Sequence, residues 1–301
     1  MPQTFCDVYF LDVGQGHATL FTDGEFALLV DCPFSGSSAV LDLMPEIDSQ
    51  VEFRAIVSHR DLDHCGGIRA IMQERPFDVL YINPAWNIPK SGSIGSRVRS
   101  VIEGIIDQAE LDGTRCEAAT EGMGARVGPV QWDVISPPHT WVLKASLDDT
   151  TNRTSIVIMA TVFGHRILLP GDADKVALDR IVGSNHDLTA DVLLVPHHGG
   201  DIAGLEDFVK AVAPEVAIIS AGRSAGIHPT LGTLAILSAS VGCRTMCTQV
   251  APSCHSLPLN HSACAGTVAC HVTHGGIEIE PDGAAHRSRI ATLESAKCDP
   301  T

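Results

Sequence analysis

Short apolar runs, separated by turns rich in glycine and aspartate, dominate the first eighty residues. "CDVYFLDV", "HATLF" and "EFALLVD" read as β-strands. "SSAVLDLMPEI" has helical spacing, and "FRAIVS" reads as a buried strand. "GGIRAIMQERP" predicts a helix that starts at the glycines and is stopped by Pro76. "FDVLYIN" is a further strand, and "GSRVRSVIEGIIDQAELDG" is the clearest amphipathic helix, with Val98, Val101, Ile105 and Ile106 on one side. The second half continues in the same style, with strands at "VQWDVISP", "TSIVIMATVF", "HRILLPGD", "ADVLLVPHHGG" and "EVAIISAG". Helices are expected at "ADKVALDRIVG" and at "HPTLGTLAILSASVG", the latter with Pro229 in its first turn. Strands interleaved with helices, and charged or histidine-bearing loops at strand ends, predict an α/β fold of two face-to-face sheets with helices outside. No short-period repeat, low-complexity tract or linker interrupts the pattern. One continuous core is expected over residues 1–240, and a Cys/His-rich extension over 241–301 that completes or caps it.

The 301 residues can bury a substantial core, and 45% hydrophobic with 19% charged residues marks a globular chain. A net charge of −16 changes the picture of partners, because it opposes long contact with duplex nucleic acid. "MPQTFCDVYFLDVGQG" runs into strand-like sequence without a basic-plus-apolar leader, and no apolar run reaches the ~20 residues a bilayer span needs. The expectation is a cytoplasmic protein without membrane contact, whose ten cysteines are reduced thiols or metal ligands.

The chemistry concentrates in "VSHRDLDHCGG", where His59, Asp61, Asp63 and His64 crowd the end of a strand. Close spacing in a tight loop lets neighbouring side chains diverge towards two points a few Å apart, and mixed imidazole and carboxylate ligands suit Zn²⁺, Mn²⁺ or Fe²⁺. The bland alternative is a solvated acidic turn. Three later strand ends count against it: "ILLPGDAD" presents Asp172, "LLVPHHGGD" presents His197 and His198, and "SAGRSAGIHPT" presents His228.

Taken together, "FLDVGQGHATLF", "LLVDCP", "SHRDLDHCGG", "NRTSIVI", "LLPGD" and "VPHHGG" resemble the metallo-β-lactamase fold. They are most similar to the hydrolase domain of ComEC-type competence proteins and their stand-alone relatives, over roughly residues 5 to 240. The resemblance implies an αββα sandwich and a pair of divalent cations, Zn²⁺ or Mn²⁺. It places His59 and Asp61 at the first cation, Asp63 and His64 at the second, Asp172 as a bridge and His228 completing the second. Asp61 stands where the broad family has histidine, and a harder oxygen ligand there favours Mn²⁺ or Mg²⁺. His139 in "SPPHTW" is the candidate for a further histidine upstream of the bridge.

The implied reaction is hydrolysis by a hydroxide formed from a water shared by the two cations, with Asp61 among the catalytic residues and His198 or His197 hydrogen-bonding a phosphoryl oxygen or protonating the leaving group. Asp12 and Asp31 read either as residues orienting the ligands or as turn caps; Gln15 and His17 border the pocket. The expected substrate is a phosphodiester, in a single-stranded nucleic acid or a small molecule, and not extended duplex DNA. A lactone, thioester or β-lactam hydrolase and a non-catalytic binding module are the competing readings, because this fold hosts several chemistries. Cys247, Cys254 and Cys264, with Cys270, His255 or His271, form either a structural zinc site or a set of buried thiols; no CxxC knuckle decides between them.

Overall fold

The computed structural model describes residues 4–44, 47–83, 86, 96–142, 152–222, 228–249, 261–264 and 266–281, excepting the side chains of 96 and 261–264. The chain opens with an antiparallel meander, β1 (Phe5–Phe10), β2 (Thr19–Thr22) and β3 (Ala27–Val30). Three parallel strands follow, β4 (Phe53–Val57), β5 (Val79–Ile82) and β6 (Arg115–Ala118). The connections carry α1 (Ser37–Leu43), α2 (Leu62–Cys65), α3 (Ile68–Glu74) and α4 (Ser96–Asp112). A second sheet begins antiparallel with β7 (Gly124–Val127), β8 (Val130–Ser136), β9 (Val157–Val162) and β10 (His165–Leu169). It turns parallel through α5 (Lys175–Val182), β11 (Val192–Leu194), α6 (Leu205–Val212), β12 (Val216–Ile219), α7 (Leu231–Ala239), β13 (Arg244–Cys247) and β14 (His261–Cys264). The chain then returns to the first sheet as β15 (Val268–Thr273), antiparallel to β1, and β16 (Gly276–Pro281).

Each sheet has eight strands, in the orders β16-β15-β1-β2-β3-β4-β5-β6 and β14-β13-β12-β11-β10-β9-β8-β7. Three buried clusters define the layers. One joins the inner faces of both sheets, with Phe10, Phe21, Ile56, Trp132, Ile158 and Ile218 among its members. A second lies between the β8–β13 sheet and α5, α6 and α7, through residues such as Leu178, Phe208 and Leu234. The third lies between the other sheet and α1, α3 and α4. Helix, sheet, sheet, helix is the αββα sandwich expected from the strand-rich pattern. Period two is visible in β1 and at the start of β8, whereas the central strands are buried on both faces and read as continuous apolar runs.

Two details differ from the sequence pattern. The short β6 and β7 carry mostly exposed or half-buried residues, too polar for an apolar run to announce them. Helix α7 starts at Leu231, because the Thr230 side chain accepts a hydrogen bond from the Thr233 N–H and so caps it; Pro229 lies ahead of the first turn. Beyond residue 240 the described strands are built into both sheets. No helix among the described residues is long and apolar enough to cross a membrane.

Candidate metal centre

Parallel strands from both sheets deliver their carboxyl ends to one edge of the sandwich, the place where α/β sheets gather ligands. Asp31 follows β3, Ser58 and His59 follow β4, Gly171 and Asp172 follow β10, His197 and His198 follow β11, and Ser220 follows β12. After β4 the chain bends at Arg60 and Asp61, Asp61 keeping extended dihedrals, and then makes the single turn of α2, which carries Asp63 and His64. Gly67 is obligatory in this arrangement: a Cβ there would lie 2.3 Å from the Pro33 carbonyl oxygen. Gly171, at φ +54°, lets Asp172 approach, and a Cβ would come within 2.4 Å of Ser155 Oγ. His197 and His198 are both left-handed, at φ +52° and +55°. Such a backbone is strained for residues with a Cβ and is typical of functional loops.

These loops bring His59, His64, His197, His198, Asp61, Asp63 and Asp172 together. Asp172 divides its two oxygens between two groups. Its Oδ1 lies 3.1 Å from His64 Nε2 and 3.5 Å from His198 Nε2. Those two nitrogens are 3.2 Å apart, and His198 Nε2 is 3.4 Å from Asp63 Oδ2. Ligands at ~2.0–2.1 Å around a tetrahedral cation are separated by about 3.3 Å, so this spacing is that of a coordination shell. Asp172 Oδ2 faces the other way, 3.8 Å from both His59 Nε2 and His197 Nε2, while Asp61 Oδ2 lies 3.6 Å from His59 Nε2. This second group is looser.

The remaining ring nitrogens fix the tautomers. His198 Nδ1 lies 2.9 Å from the Ser220 carbonyl and must donate to it. His64 Nδ1 lies 2.8 Å from Asp31 Oδ2, and His59 Nδ1 lies 3.0 Å from Ser58 Oγ, which donates in turn to Asp31 Oδ2 at 2.7 Å. Asp31, fully buried, also accepts from the Ser58 N–H at 2.7 Å and from His17 Nδ1 at 3.0 Å. Four donors therefore converge on one carboxylate, which sets the orientation of His59 and His64. With their Nδ1 hydrogens so committed, neutral His64 and His198 would aim Nε2 lone pairs at each other, an arrangement that a proton on His64 or a cation between them relieves.

The electrostatics agree. Burial works against a charged His64, yet Asp172 and Asp31 outweigh it and hold its pKa well above the ordinary imidazole value. Burial likewise opposes charge on Asp172, Asp63 and Asp31, but the surrounding histidines keep all three carboxyls well below the usual range. Among the described residues, the buried His59 Nε2 and Asp172 Oδ1 make no hydrogen bond. Unused nitrogen and oxygen lone pairs beside buried carboxylates suit a divalent cation of the zinc or manganese type. His17, Asp31 and His64 also gather, but their hydrogen bonds to one another and to Ser58 and Thr19 use up those atoms.

The other candidates fall further out. His228, expected at the second cation, belongs to none of the described ligand clusters; its ring is 5.6 Å from that of His197 and 6.4 Å from that of His198. His198, in contrast, gathers with Asp63 and His64. His139 is exposed and enters no such cluster among the described residues. Asp12 Oδ1 accepts from Gln249 Nε2 at 2.6 Å, and Gln15 Oε1 accepts from the Gly222 N–H at 3.4 Å, so both brace the loop beside the site. Ser58, Ser155 and Ser220 were not foreseen as supports, since a serine at a strand end is unremarkable by composition. In the C-terminal region, Cys254, His255 and the Cys264 side chain lie outside the described residues. Cys247 packs under the helices and Cys270 between the sheets, and burial pushes the Cys270 thiol up to about 12. His271 is exposed and bonded to Asp7 at 2.7 Å. The two thiols occupy different layers and do not share one zinc.

No family model matches the chain. It is similar to Recombination protein 2 of Haemophilus influenzae, 31% identical over 221 residues, which is 71% of this chain and 24% of that protein. It is also similar to ComE operon protein 3 of Bacillus subtilis, 26% identical over 58% of this chain and 20% of the relative. Competence protein ComA of Neisseria gonorrhoeae is 26% identical over 76% and 29%. The chain thus spans about a quarter of the length of these curated relatives. Among solved structures, it resembles the metallo-β-lactamase fold protein YhfI from Bacillus subtilis, with a TM-score of 0.49 and 15% identity over 79% of this chain and 95% of that one. It also resembles Igni18, a metallo hydrolase from Ignicoccus hospitalis, with a TM-score of 0.46 and 15% identity over 70% and 81%.

Proposed function

We propose that the chain is a hydrolase dependent on two divalent cations, Zn²⁺ or Mn²⁺, that cleaves phosphodiester bonds in single-stranded nucleic acid or a small phosphodiester. The observation that carries the reading is the division of Asp172, with one oxygen towards His64 and His198 and the other towards His59 and His197. Asp63, His64, His198 and Asp172 Oδ1 would hold one cation; His59, Asp61 and Asp172 Oδ2 would hold the other. Such cations supply Lewis acidity: they let water ionise near neutral pH and neutralise charge developing on phosphoryl oxygens.

The chain's own groups do the rest. Asp31 keeps His59 and His64 in one tautomer, and the Ser220 carbonyl does the same for His198. His198 has both nitrogens committed, so the half-exposed His197 is the group proposed to donate a proton to the leaving oxygen. Similarity to competence proteins supports a nucleic-acid substrate, and the charge of −16 favours a single strand over a long duplex. The described cysteines are free thiols, which supports a reducing, cytoplasmic setting. Strands β13 to β16 support treating 241–281 as part of the same core.

The test is hydrolysis of a single-stranded oligonucleotide and of bis(p-nitrophenyl) phosphate by the Mn²⁺- or Zn²⁺-loaded protein. Turnover of at least one, abolished in Asp172→Ala, is expected. Inert phosphodiesters alongside cleavage of a lactone, thioester or β-lactam would move the reading to that bond class. Absence of all turnover would leave a binding module.

A further inference from the structure

We infer that Phe34 and Arg97 form a stacking subsite at the rim of the metal cluster, which takes a nucleobase and the adjoining phosphate of a single-stranded substrate. The inference rests on the phosphodiesterase reading and adds to it the part of the substrate being recognised.

Phe34 follows Asp31 by three residues, in the turn at the end of β3. That turn is tied to the ligand-bearing segment by the Cys32 N–H donating to the His64 carbonyl at 2.7 Å and the Gly67 N–H donating to the Cys32 carbonyl at 2.8 Å. The Phe34 ring lies against Gly66, where an added Cβ would meet Cδ2 at 2.6 Å, so it sits two residues from His64. Despite this lodging, the side chain is 48% exposed. Among the described residues, the other large exposed apolar side chains are aliphatic: Leu111, Val176, Leu231 and Val241.

Arg97, on α4, places its guanidinium carbon 5.4 Å from the centre of that ring. It is exposed, and among the described residues it forms no ion pair. In a chain with sixteen excess negative charges, an exposed arginine that forms no ion pair with another described residue suits an anion. The pair has the two parts single-strand binding uses: a flat surface that accepts any base and a planar cation that stacks and donates to phosphate. A duplex keeps its bases stacked on one another and cannot use it.

The measurement compares kcat/KM for an oligothymidylate with that for the same backbone carrying abasic residues, for wild type, Phe34→Ala, Phe34→Trp, Arg97→Ala and Arg97→Lys. The ratio is expected to fall about tenfold in Phe34→Ala and to be restored in Phe34→Trp. Arg97→Ala should lower the ratio as well and should reduce the salt slope of oligonucleotide binding, read by fluorescence anisotropy with Ca²⁺ present, by about one; Arg97→Lys should restore the slope but not the ratio. Unchanged ratios in folded Phe34→Ala and Arg97→Ala, with wild type active and Asp172→Ala dead, would overturn the subsite and leave the phosphodiesterase reading standing. Phe34-dependent binding without any hydrolysis would keep the subsite and overturn the reaction. Neither binding nor hydrolysis would overturn both.

Discussion

Replacing Asp31 by asparagine preserves shape and removes one acceptor and one charge. In the native protein Oδ1 accepts from the Ser58 N–H, and Oδ2 accepts from Ser58 Oγ, His17 Nδ1 and His64 Nδ1. An asparagine can present its oxygen to only one of these two sets. In the better orientation its NH₂ group faces the buried Ser58 N–H, which is left unsatisfied at a cost of about 1–3 kcal/mol. The three bonds on the other side lose their ionic partner, and charge-assisted bonds exceed neutral ones by about 1 kcal/mol each. Non-additivity within one network trims the sum, and the expected loss is about 3 kcal/mol. For a chain of 301 residues that is a fall in Tm of about 5 °C. Urea unfolding followed by tryptophan fluorescence is suited to the measurement, since Trp132 is fully buried between the sheets. Because Asp31 orients His59 and His64 and its oxygens are taken up by hydrogen bonds, metal affinity should also fall by about 10–100-fold. A variant within ~0.5 kcal/mol of wild type, binding Zn²⁺ equally well, would refute the view that this carboxylate organises the site.

Two further outcomes follow from the same geometry. At φ +52° a Cβ at position 197 costs about 1 kcal/mol or more, so His197→Gly should be more stable than His197→Ala by that amount in urea; equal stabilities would remove the strain. The second concerns pH in the EDTA-treated protein. His64 is held above its ordinary value, so its contribution is complete below the unfolded imidazole pKa and is lost as pH rises through the folded one. Asp31, Asp63 and Asp172 are held low, so theirs is complete above the usual carboxylate range and is lost in acid. Stability of the EDTA-treated protein should therefore fall on both sides of mildly acidic pH, and added Zn²⁺ should abolish the decline on the alkaline side; a decline unaffected by metal would contradict the assignment.

The local part of this site was legible because its residues are neighbours in sequence. His59, Asp61, Asp63 and His64 leave one strand end together, and Asp172 ends an unmistakable apolar run. What sequence could not rank was the long-range part. Three histidines arrive on two loops, and which one turns Nε2 inward depends on a left-handed backbone at His198 and a hydrogen bond to the Ser220 carbonyl, 22 residues away. Asp31 looked as much like a turn cap as a support because its partners are 14, 27 and 33 residues distant. The layer order was legible from strand-end loops and buried runs. The return of β15 to pair with β1 was not, since nothing local marks a contact between Phe5 and Thr273. Edge strands β6 and β7 escaped for the opposite reason, having too little buried surface to leave a pattern.

Metal stoichiometry bears most directly on the proposed pair of cations. Elemental analysis after loading with Zn²⁺ or Mn²⁺ and extensive dialysis should give two equivalents per wild-type chain. Asp172→Asn, which cannot serve both sides as a charged bridge, should give one or fewer while retaining the wild-type circular dichroism spectrum. Less than one equivalent in the wild type, or two in the variant, would contradict the account.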